Sequence, residues 1–534
     1  MTAPHVRFYP PGVPADFVPP ATTVPEILGR SRARFAERRF LSYNGQGLTY
    51  GQFGALVDRA AAGLRALGVG PGIVVGLHLP NTPHYPIAFF AVLKAGGTVA
   101  NFSPLDAKLE LRTKIERSEP RFVISFAGLH EKLPQEAGAP RIILCQPDDF
   151  APAVVAPADG LVDFRWLIGS DHPEPDWPER HPDDLAVLQF TGGTTGLPKA
   201  AMLTHGNVTA AMAIYSAWFT AGTGDTPDRM ICVLPLFHIY GLSTMLLSAM
   251  SAGSELILKM RWDTEDILET IARERPTTFM GVPSMYVALT SHPKLRDYDL
   301  SSLQRCVSGG APLAVELQKS FGAQTGQKLL EGWGMSETCS AGTGTPETMQ
   351  KSGAAGIPLP GVTLEIRDLA TATQRMPQGE PGEVCISGPN VFRGYYKDVA
   401  ATEEVFVGSF FRTGDIGYLD EDGFLHLVDR RKDLIISGGY NVYPRMVEEA
   451  IYAHPSVEEV AVIGIPDAYR GESAKAFIKL REGASPFTLA ELKTFLADRV
   501  GPQEMPTEIE FRPELPKTAV GKLSKKELRT ETGK

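Results

Sequence analysis

TGGTTGLPKAAML, residues 191–203, follows directly on the apolar run LAVLQF, residues 185–190. The apolar run predicts a short buried strand. The segment after it predicts a loop that handles an anion. Gly192, Gly193 and Gly196 let the backbone approach a ligand closely, while Thr191, Thr194, Thr195 and the loop amides supply donors. Lys199 adds a positive charge, and the set suits a polyphosphate. The spacing differs from the G-x-x-x-x-G-K-[ST] phosphate loop. Leu197-Pro198 separates Gly196 from the lysine, and Ala200 stands where that motif has its hydroxyl. A plain turn seldom needs this composition.

Outward from the loop, strands and helices alternate. Residues 72–79 read as a buried strand and 85–95 as a helix ending at Gly96-Gly97, with further short strands at 121–125 and 141–145. This order predicts crossover units and mostly parallel sheets. Residues 139–184, rich in Pro and Asp, read as a looser connection, and alternation resumes from 185 to about 340. After about residue 355 the segments GIPLPGVTLEIRD, GEVCISGP and GFLHLVDR predict a small all-β subdomain. The last stretch has a βαβ-like order of its own: helix 444–454, strand 457–465, strand 474–480 and helix 489–499. The expected fold is therefore α/β. A large N-terminal domain, 1–430, has mixed, mostly parallel sheets flanked by helices. It carries a small β-barrel-like subdomain at about 355–430, and a small α+β domain, 431–534, follows.

A chain of 534 residues exceeds what one core holds. Its 52 basic and 62 acidic residues, net −10, argue against general nucleic-acid binding, which needs cationic surface. Cys145, Cys232, Cys306, Cys339 and Cys385 are scattered without a C-x-x-C pair, and read as reduced, packed thiols. The N-terminus lacks the charged and apolar regions of a secretory signal. No apolar run reaches the ~18 residues of a membrane span. The nearest, 240–252, is interrupted by Ser243, Ser248 and Ser251. The expectation is a cytoplasmic protein without an integral membrane segment, peripheral membrane contact being left open. Residues 1–21, rich in proline, read as an extended arm lying on the body.

More motifs follow in order. LPLFHIYGL, 234–242, sets His238 and Tyr240 among apolar residues, and alone would read as a core histidine. SGGAPL, 308–313, places Ser308, Gly309, Gly310 and Ala311 after a strand at 303–307. EGWGMSET, 331–338, holds Glu331, Gly332, Trp333, Met335, Ser336 and Glu337. Trp333 offers a flat face for a base, Ser336 a hydroxyl, and Glu337 a hard oxygen ligand. RTGDIG, 412–417, supplies Asp415, which can accept from both hydroxyls of a ribose. DRRKDLIISGGYNVYP, 429–444, holds Arg430, Lys432 and the pair Gly438-Gly439, and PKTAVGKLSKKEL, 516–528, centres on Lys522.

Together these motifs resemble the adenylate-forming superfamily over nearly the whole chain: acyl- and aryl-CoA synthetases, firefly luciferase and peptide-synthetase adenylation domains. The resemblance implies that residues 191–199 bind the phosphates of ATP and that His238 lines and gates the acyl pocket. Tyr240, Ser308, Gly309, Gly332 and Met335 share that pocket. Gly310, Ala311, Glu331, Gly332 and Trp333 border the adenosine, Trp333 standing where the family more often has tyrosine, and Ser336 donates to phosphate where the family usually has threonine. Asp415 and Arg430 bind the ribose or phosphate, and Glu337 binds Mg2+. Lys432 is the hinge of a mobile C-terminal domain, Gly438-Gly439 face the pantetheine of CoA, and Lys522 is the catalytic lysine. Plant aryl-CoA ligases carry a lysine where Ile436 stands. The chain is thus expected to join a carboxylic acid to CoA with ATP as co-substrate and Mg2+ as cofactor. It would act as a monomer or homodimer, with Lys522 as a target for lysine acetyltransferases. The segments 237–242, 280–286 and 308–311 hold no ionisable side chain suited to an acid's far end apart from His238, which favours a medium- to long-chain fatty acid. An aryl or dicarboxylic acid, or a free carrier protein as acceptor, are the alternatives. A binding module without catalysis is disfavoured by Lys522, Glu337 and Lys199 together.

Overall fold

The computed structural model describes residues 3–147, 161–169, 172–191, 198–220, 227–437, 440–467, 469–518 and 521–532. Apolar segments buried on both faces assemble into two large sheets. The seven-stranded sheet runs Leu161–Asp163, Arg141–Cys145, Phe122–Phe126, Val74–His78, Thr98–Asn101, Leu185–Thr191 and Lys199–Thr204. Every pairing in it is parallel except the last. The nine-stranded sheet has a parallel centre, with Leu329–Trp333, Arg305–Gly309, Thr278–Gly281, Arg229–Cys232, Glu255–Leu258 and Arg39–Tyr43 adjacent in that order. Short antiparallel strands close both its ends. Helix His84–Lys94 is buried along nearly its whole length, the pattern of a helix covered on all sides. Helix Tyr50–Ala66 starts at Thr49, whose hydroxyl accepts from the Gln52 amide while Gln52 reaches back.

The third sheet is antiparallel, built from Thr363–Arg367, Gly382–Ser387, Phe406–Val407, Phe410–Leu419 and Leu425–Arg430. The small C-terminal domain has its own sheet and a core that includes Ile435, Val447, Ile451, Val462, Ile478 and Leu492. Two expectations change here. Strands Val457–Asp467 and Gly471–Leu480 form a long antiparallel hairpin, and the crossover unit instead joins Gly471–Leu480 through helix Leu489–Leu496 to the parallel strand Glu508–Phe511. In the connection 139–184, the expected strand at 141–145 is present, and the described residues add strand Leu161–Asp163 and helix Phe164–Gly169, because an apolar edge there can still extend the parallel sheet.

The N-terminal arm does lie on the body. Phe8 meets Phe424 edge-on at 5.5 Å, Tyr9 meets Trp218 at 5.9 Å, and the Tyr9 hydroxyl donates to the Pro358 carbonyl at 3.0 Å. All five cysteines are buried, and burial pushes the Cys306 and Cys385 thiols up to about 12, which leaves them unreactive. No helix among the described residues is long and apolar enough to cross a membrane.

Candidate active site

Strand Leu185–Thr191 turns back antiparallel into Lys199–Thr204, with Thr191 opposite Lys199. The strands flanking the glycine-rich segment are thus paired antiparallel, whereas the usual phosphate loop leads from a strand into a helix. Its central residues, Gly192, Gly193, Thr194, Thr195 and Gly196, lie outside the described residues. Lys199 sits at the mouth of the hairpin, its ammonium 5.0 Å from the centre of the Tyr395 ring. The Tyr395 hydroxyl in turn donates to Glu337 Oε1 at 2.9 Å. Glu337 is buried, which raises its carboxyl above the usual range, while Tyr395 and Arg430 oppose that shift. Tyr395 was not foreseen from the sequence, where nothing separates it from Tyr396 beside it. Its place is set by main-chain pairing of residues 394–396 with strand Lys199–Thr204.

A second group forms around Asp415. Arg430 Nε lies 3.0 Å from Asp415 Oδ1, and the Trp333 indole N–H donates to Oδ2 at 2.7 Å. The two strands that carry Asp415 and Arg430 place them directly opposite each other. Trp333 packs against the Gly342 backbone, where any side chain would meet the indole at 2.6 Å. The family's tyrosine at this place would carry a hydroxyl, whereas the indole uses its one donor to orient the Asp415 carboxylate.

The third group spans the two domains. Gly310 has φ +78°, and a Cβ there would stand 3.0 Å from Lys522 Cε and 3.4 Å from its Nζ. Gly521, beside the lysine, accepts from the Ser284 hydroxyl at 2.9 Å, pinning the C-terminal turn to the large domain. Burial, with Arg430 nearby, lowers the Lys522 ammonium to about 8, Asp415 opposing. Burial, with Lys522 nearby, likewise lowers His238 to about 3. Its Nδ1 accepts from the Tyr240 amide at 3.2 Å, so the neutral ring carries its proton on Nε2.

Along the wall beneath, Tyr240 packs on Gly309, whose Cβ would come within 2.9 Å of the phenol. The Tyr240 and Ser308 hydroxyls and Glu331 Oε2 are buried without a protein partner, as a wall awaiting a polar ligand would be. Glu331 is pushed up to about 7 by burial, against the pull of Arg445 from the C-terminal domain. Gly332 pairs with Gly309 on the neighbouring strand, and Met335 and Ser336 open the short turn that carries Glu337. Ala311 continues the turn after Gly310. Lys432 is exposed between the third sheet and the C-terminal domain, and Gly438-Gly439 lie outside the described residues.

On the expectation that the C-terminal domain docks and undocks, the lowered ammonium would make docking pH-dependent. A lysine in water keeps its ordinary value of 10.5, so between about 8 and that value the undocked arrangement binds more protons. Raising pH through this window without nucleotide favours the docked arrangement. Below about 8 the lysine is charged in both, and docking carries the full penalty of burying the charge. An anion beside Lys522 restores the proton, so ATP binding near pH 8.5 to 9 should take up protons. Calorimetry in two buffers of different ionisation enthalpy reads this uptake. The uptake should vanish in Lys522→Ala, and no uptake by the wild type would contradict the placement of Lys522.

A family model described as AMP-binding enzyme matches residues 28–396, and one described as AMP-binding enzyme C-terminal domain matches 446–522. The chain is 36% identical to a long-chain-fatty-acid–CoA ligase of Bacillus subtilis (strain 168), covering 99% of this chain and 98% of that one. It is also 36% identical to a feruloyl-CoA synthase of Amycolatopsis sp, covering 92% and 95%. Among solved structures, an anthranilate CoA ligase in complex with anthranoyl-AMP aligns with a TM-score of 0.86 at 26% identity, over 96% of this chain and 98% of that one. ATP-bound MatB from Rhodopseudomonas palustris aligns with a TM-score of 0.84 at 29% identity, over 96% and 99%.

Proposed function

The chain belongs to the AMP-binding enzyme family, and from that membership we propose an AMP-forming acyl-CoA synthetase acting on medium- to long-chain fatty acids. The observation that carries the reading is the seating of Lys522 against Gly310, beside His238 and the Asp415–Arg430 pair. In the first half-reaction the substrate carboxylate attacks the α-phosphorus of ATP, and pyrophosphate leaves. Two anions must meet, and charge builds on the phosphate oxygens. Lys522 and Lys199 offset that charge, and the Asp415 carboxylate receives the ribose hydroxyls. The His238 Nε2–H is a neutral donor at the acyl wall. In the second half-reaction the CoA sulfur attacks the carbonyl carbon of the acyl-adenylate and gives up its proton to solvent, the acyl C–O bond breaks and AMP leaves with that oxygen. Docking of the small domain keeps water from the anhydride in the interval.

Magnesium, when bound, would neutralise charge on the phosphates. Glu337 is the residue suited to hold it, a hard buried oxygen donor oriented by Tyr395. Its remaining ligands would be oxygens of the nucleotide and of water, as magnesium prefers.

We place the boundary between domains at 430/431, with Lys432 as the hinge and Gly438-Gly439 at the CoA entrance. Lys432→Pro should trap one arrangement, since proline fixes φ. Adenylate formation should survive better than thioester formation, each read by single-turnover assay, and equal loss of both would point to misfolding. In the docked arrangement Lys522 faces inward, so an acetyltransferase would reach it only with the domain swung away.

Pyrophosphate release with a panel of saturated, aryl and dicarboxylic acids tests the substrate class. AMP release with CoA against a pantetheinylated carrier tests the acceptor. Failure with every saturated acid would overturn the fatty-acid reading. The unpartnered Tyr240 hydroxyl favours one second reading, an aryl acid bearing a polar substituent.

A further inference from the structure

The turn that carries Glu337 is held in a costly backbone shape. Just beyond the glutamate, Cys339 has φ 49° and Ser340 has φ 68°. Both stand in the left-handed region, which a side chain disfavours, and no other adjacent pair of non-glycine residues among the described ones does so. The turn also folds back closely on its own start. The Ser340 amide donates to the Met335 carbonyl at 2.9 Å, and a Cβ at Gly334 would run into the Ser340 carbonyl. Backbone of this kind persists only where its surroundings hold it.

The groups that hold it come from two distant segments. Asn390 Nδ2 donates to the Thr338 carbonyl at 2.8 Å and to the Ala341 carbonyl at 2.7 Å, one on each side of the left-handed pair. Asn390 is fully buried, and its Oδ1 has no partner among the described residues. The two donated bonds therefore fix the side chain, since the amide turned over would set its oxygen against two carbonyl oxygens. The Tyr215 hydroxyl donates to the Ser340 carbonyl at 2.8 Å. Asn207 Nδ2 steadies Asn390 in turn, donating to the Pro389 carbonyl at 2.9 Å and the Val391 carbonyl at 2.8 Å on either side of it.

We propose that Asn390 and Tyr215 are positioning residues for Glu337. Their three bonds hold the turn in its left-handed form, and that form aims the Glu337 carboxylate at the magnesium of ATP. The inference rests on the reading of Glu337 as the protein ligand of the metal. Tyr395 orients the carboxylate itself, whereas Asn390 and Tyr215 act on the main chain that carries it. Without them the turn relaxes at 339 and 340, and the carboxylate leaves its place. Glycine at 340 removes much of the drive to relax, because the left-handed region costs glycine almost nothing. Taking side-chain atoms away at 340 should therefore repair damage done at 390, which no simple loss of packing would do.

The test is calorimetric binding of ATP without acid or CoA, so that no turnover enters. The ratio of the Kd in chelator to the Kd in excess magnesium measures what the metal adds. Asn390→Ala should lower this ratio by about tenfold, the worth of one to two buried hydrogen bonds, while its Kd in chelator stays within about twofold of wild type. Tyr215→Phe removes one bond and keeps the ring. It should lower the ratio about threefold, and it carries the test should Asn390→Ala not fold. Ser340→Gly alone should keep the wild-type ratio and melt at a slightly higher temperature. Added to Asn390→Ala, Ser340→Gly should recover about threefold or more of the ratio. A wild-type ratio in folded Asn390→Ala or Tyr215→Phe overturns the proposal, as does a double variant no better than Asn390→Ala. A wild-type ratio in Glu337→Ala overturns the metal reading of Glu337 instead.

Discussion

Lys522→Ala should lose about 10² to 10³ in the rate of acyl-adenylate formation, which is the size of effect seen when one charge-assisted contact to a transition state is removed. The same variant should still convert presynthesised acyl-adenylate and CoA to acyl-CoA at near the wild-type rate. The asymmetry follows from position. In the arrangement described here the ammonium is packed on Gly310 in the field of Arg430 and Asp415, where phosphate charge would collect. In the proposed cycle the C-terminal domain turns to admit CoA to the acyl carbonyl, which would carry Lys522 away from the phosphate. Gly439→Trp should give the opposite pattern, with pyrophosphate release retained and thioester formation lost. Rapid-quench measurement of each half-reaction reads both. Loss of both half-reactions by both variants at unchanged melting temperature would rule out a two-arrangement mechanism for this chain.

Glu337→Ala should reduce magnesium-dependent adenylation by about 10²-fold, since a metal contact to the reacting phosphates is worth several kcal/mol. CoA binding should be little affected. The alanine also leaves the buried Tyr395 hydroxyl without its acceptor, at a cost of about 1 to 3 kcal/mol in stability. Glu337→Gln separates the two effects. The amide oxygen can still accept from Tyr395, so the melting temperature should recover while the dependence on magnesium concentration stays impaired. Tyr395→Phe should do the reverse, losing some stability and shifting the magnesium requirement only slightly. Wild-type pyrophosphate release by Glu337→Ala at limiting magnesium would remove Glu337 from the metal site.

Much of the architecture was legible because its causes are local. An apolar run such as 185–190, followed by Gly192, Gly193 and Gly196, needs no distant residue to become a strand and a turn. The order of strands and helices up to residue 340 therefore predicted parallel sheets correctly. The pairing of the C-terminal strands was not legible. Val457–Asp467 and Gly471–Leu480 fold back as a hairpin through a tight connection, a decision made by pairing partners and not by the composition of either strand. The glycine-rich loop shows the same limit. Its composition points to an anion site, but only the pairing of Thr191 with Lys199 shows that the strands flanking it run antiparallel.

The sequence by itself determined the family, the chemistry it carries and the residue types able to perform it. Lys199, Glu337, Asp415, Arg430 and Lys522 were singled out there by motifs taken together in order, since Glu337 or Asp415 alone would read as an ordinary helix-start or turn carboxylate. Tertiary structure alone decided which of them meet. It set Lys522 against Gly310 from another domain, gave Asp415 both Arg430 and the Trp333 indole, and brought Tyr395 between Lys199 and Glu337. It also brought Arg305 onto the Phe219 ring and carbonyl, though neither residue lies in a recognisable motif. The physical reason is range. A turn or a strand is specified by neighbours along the chain. A contact between distant segments depends on how whole sheets and domains pack, and that information is spread over the entire core.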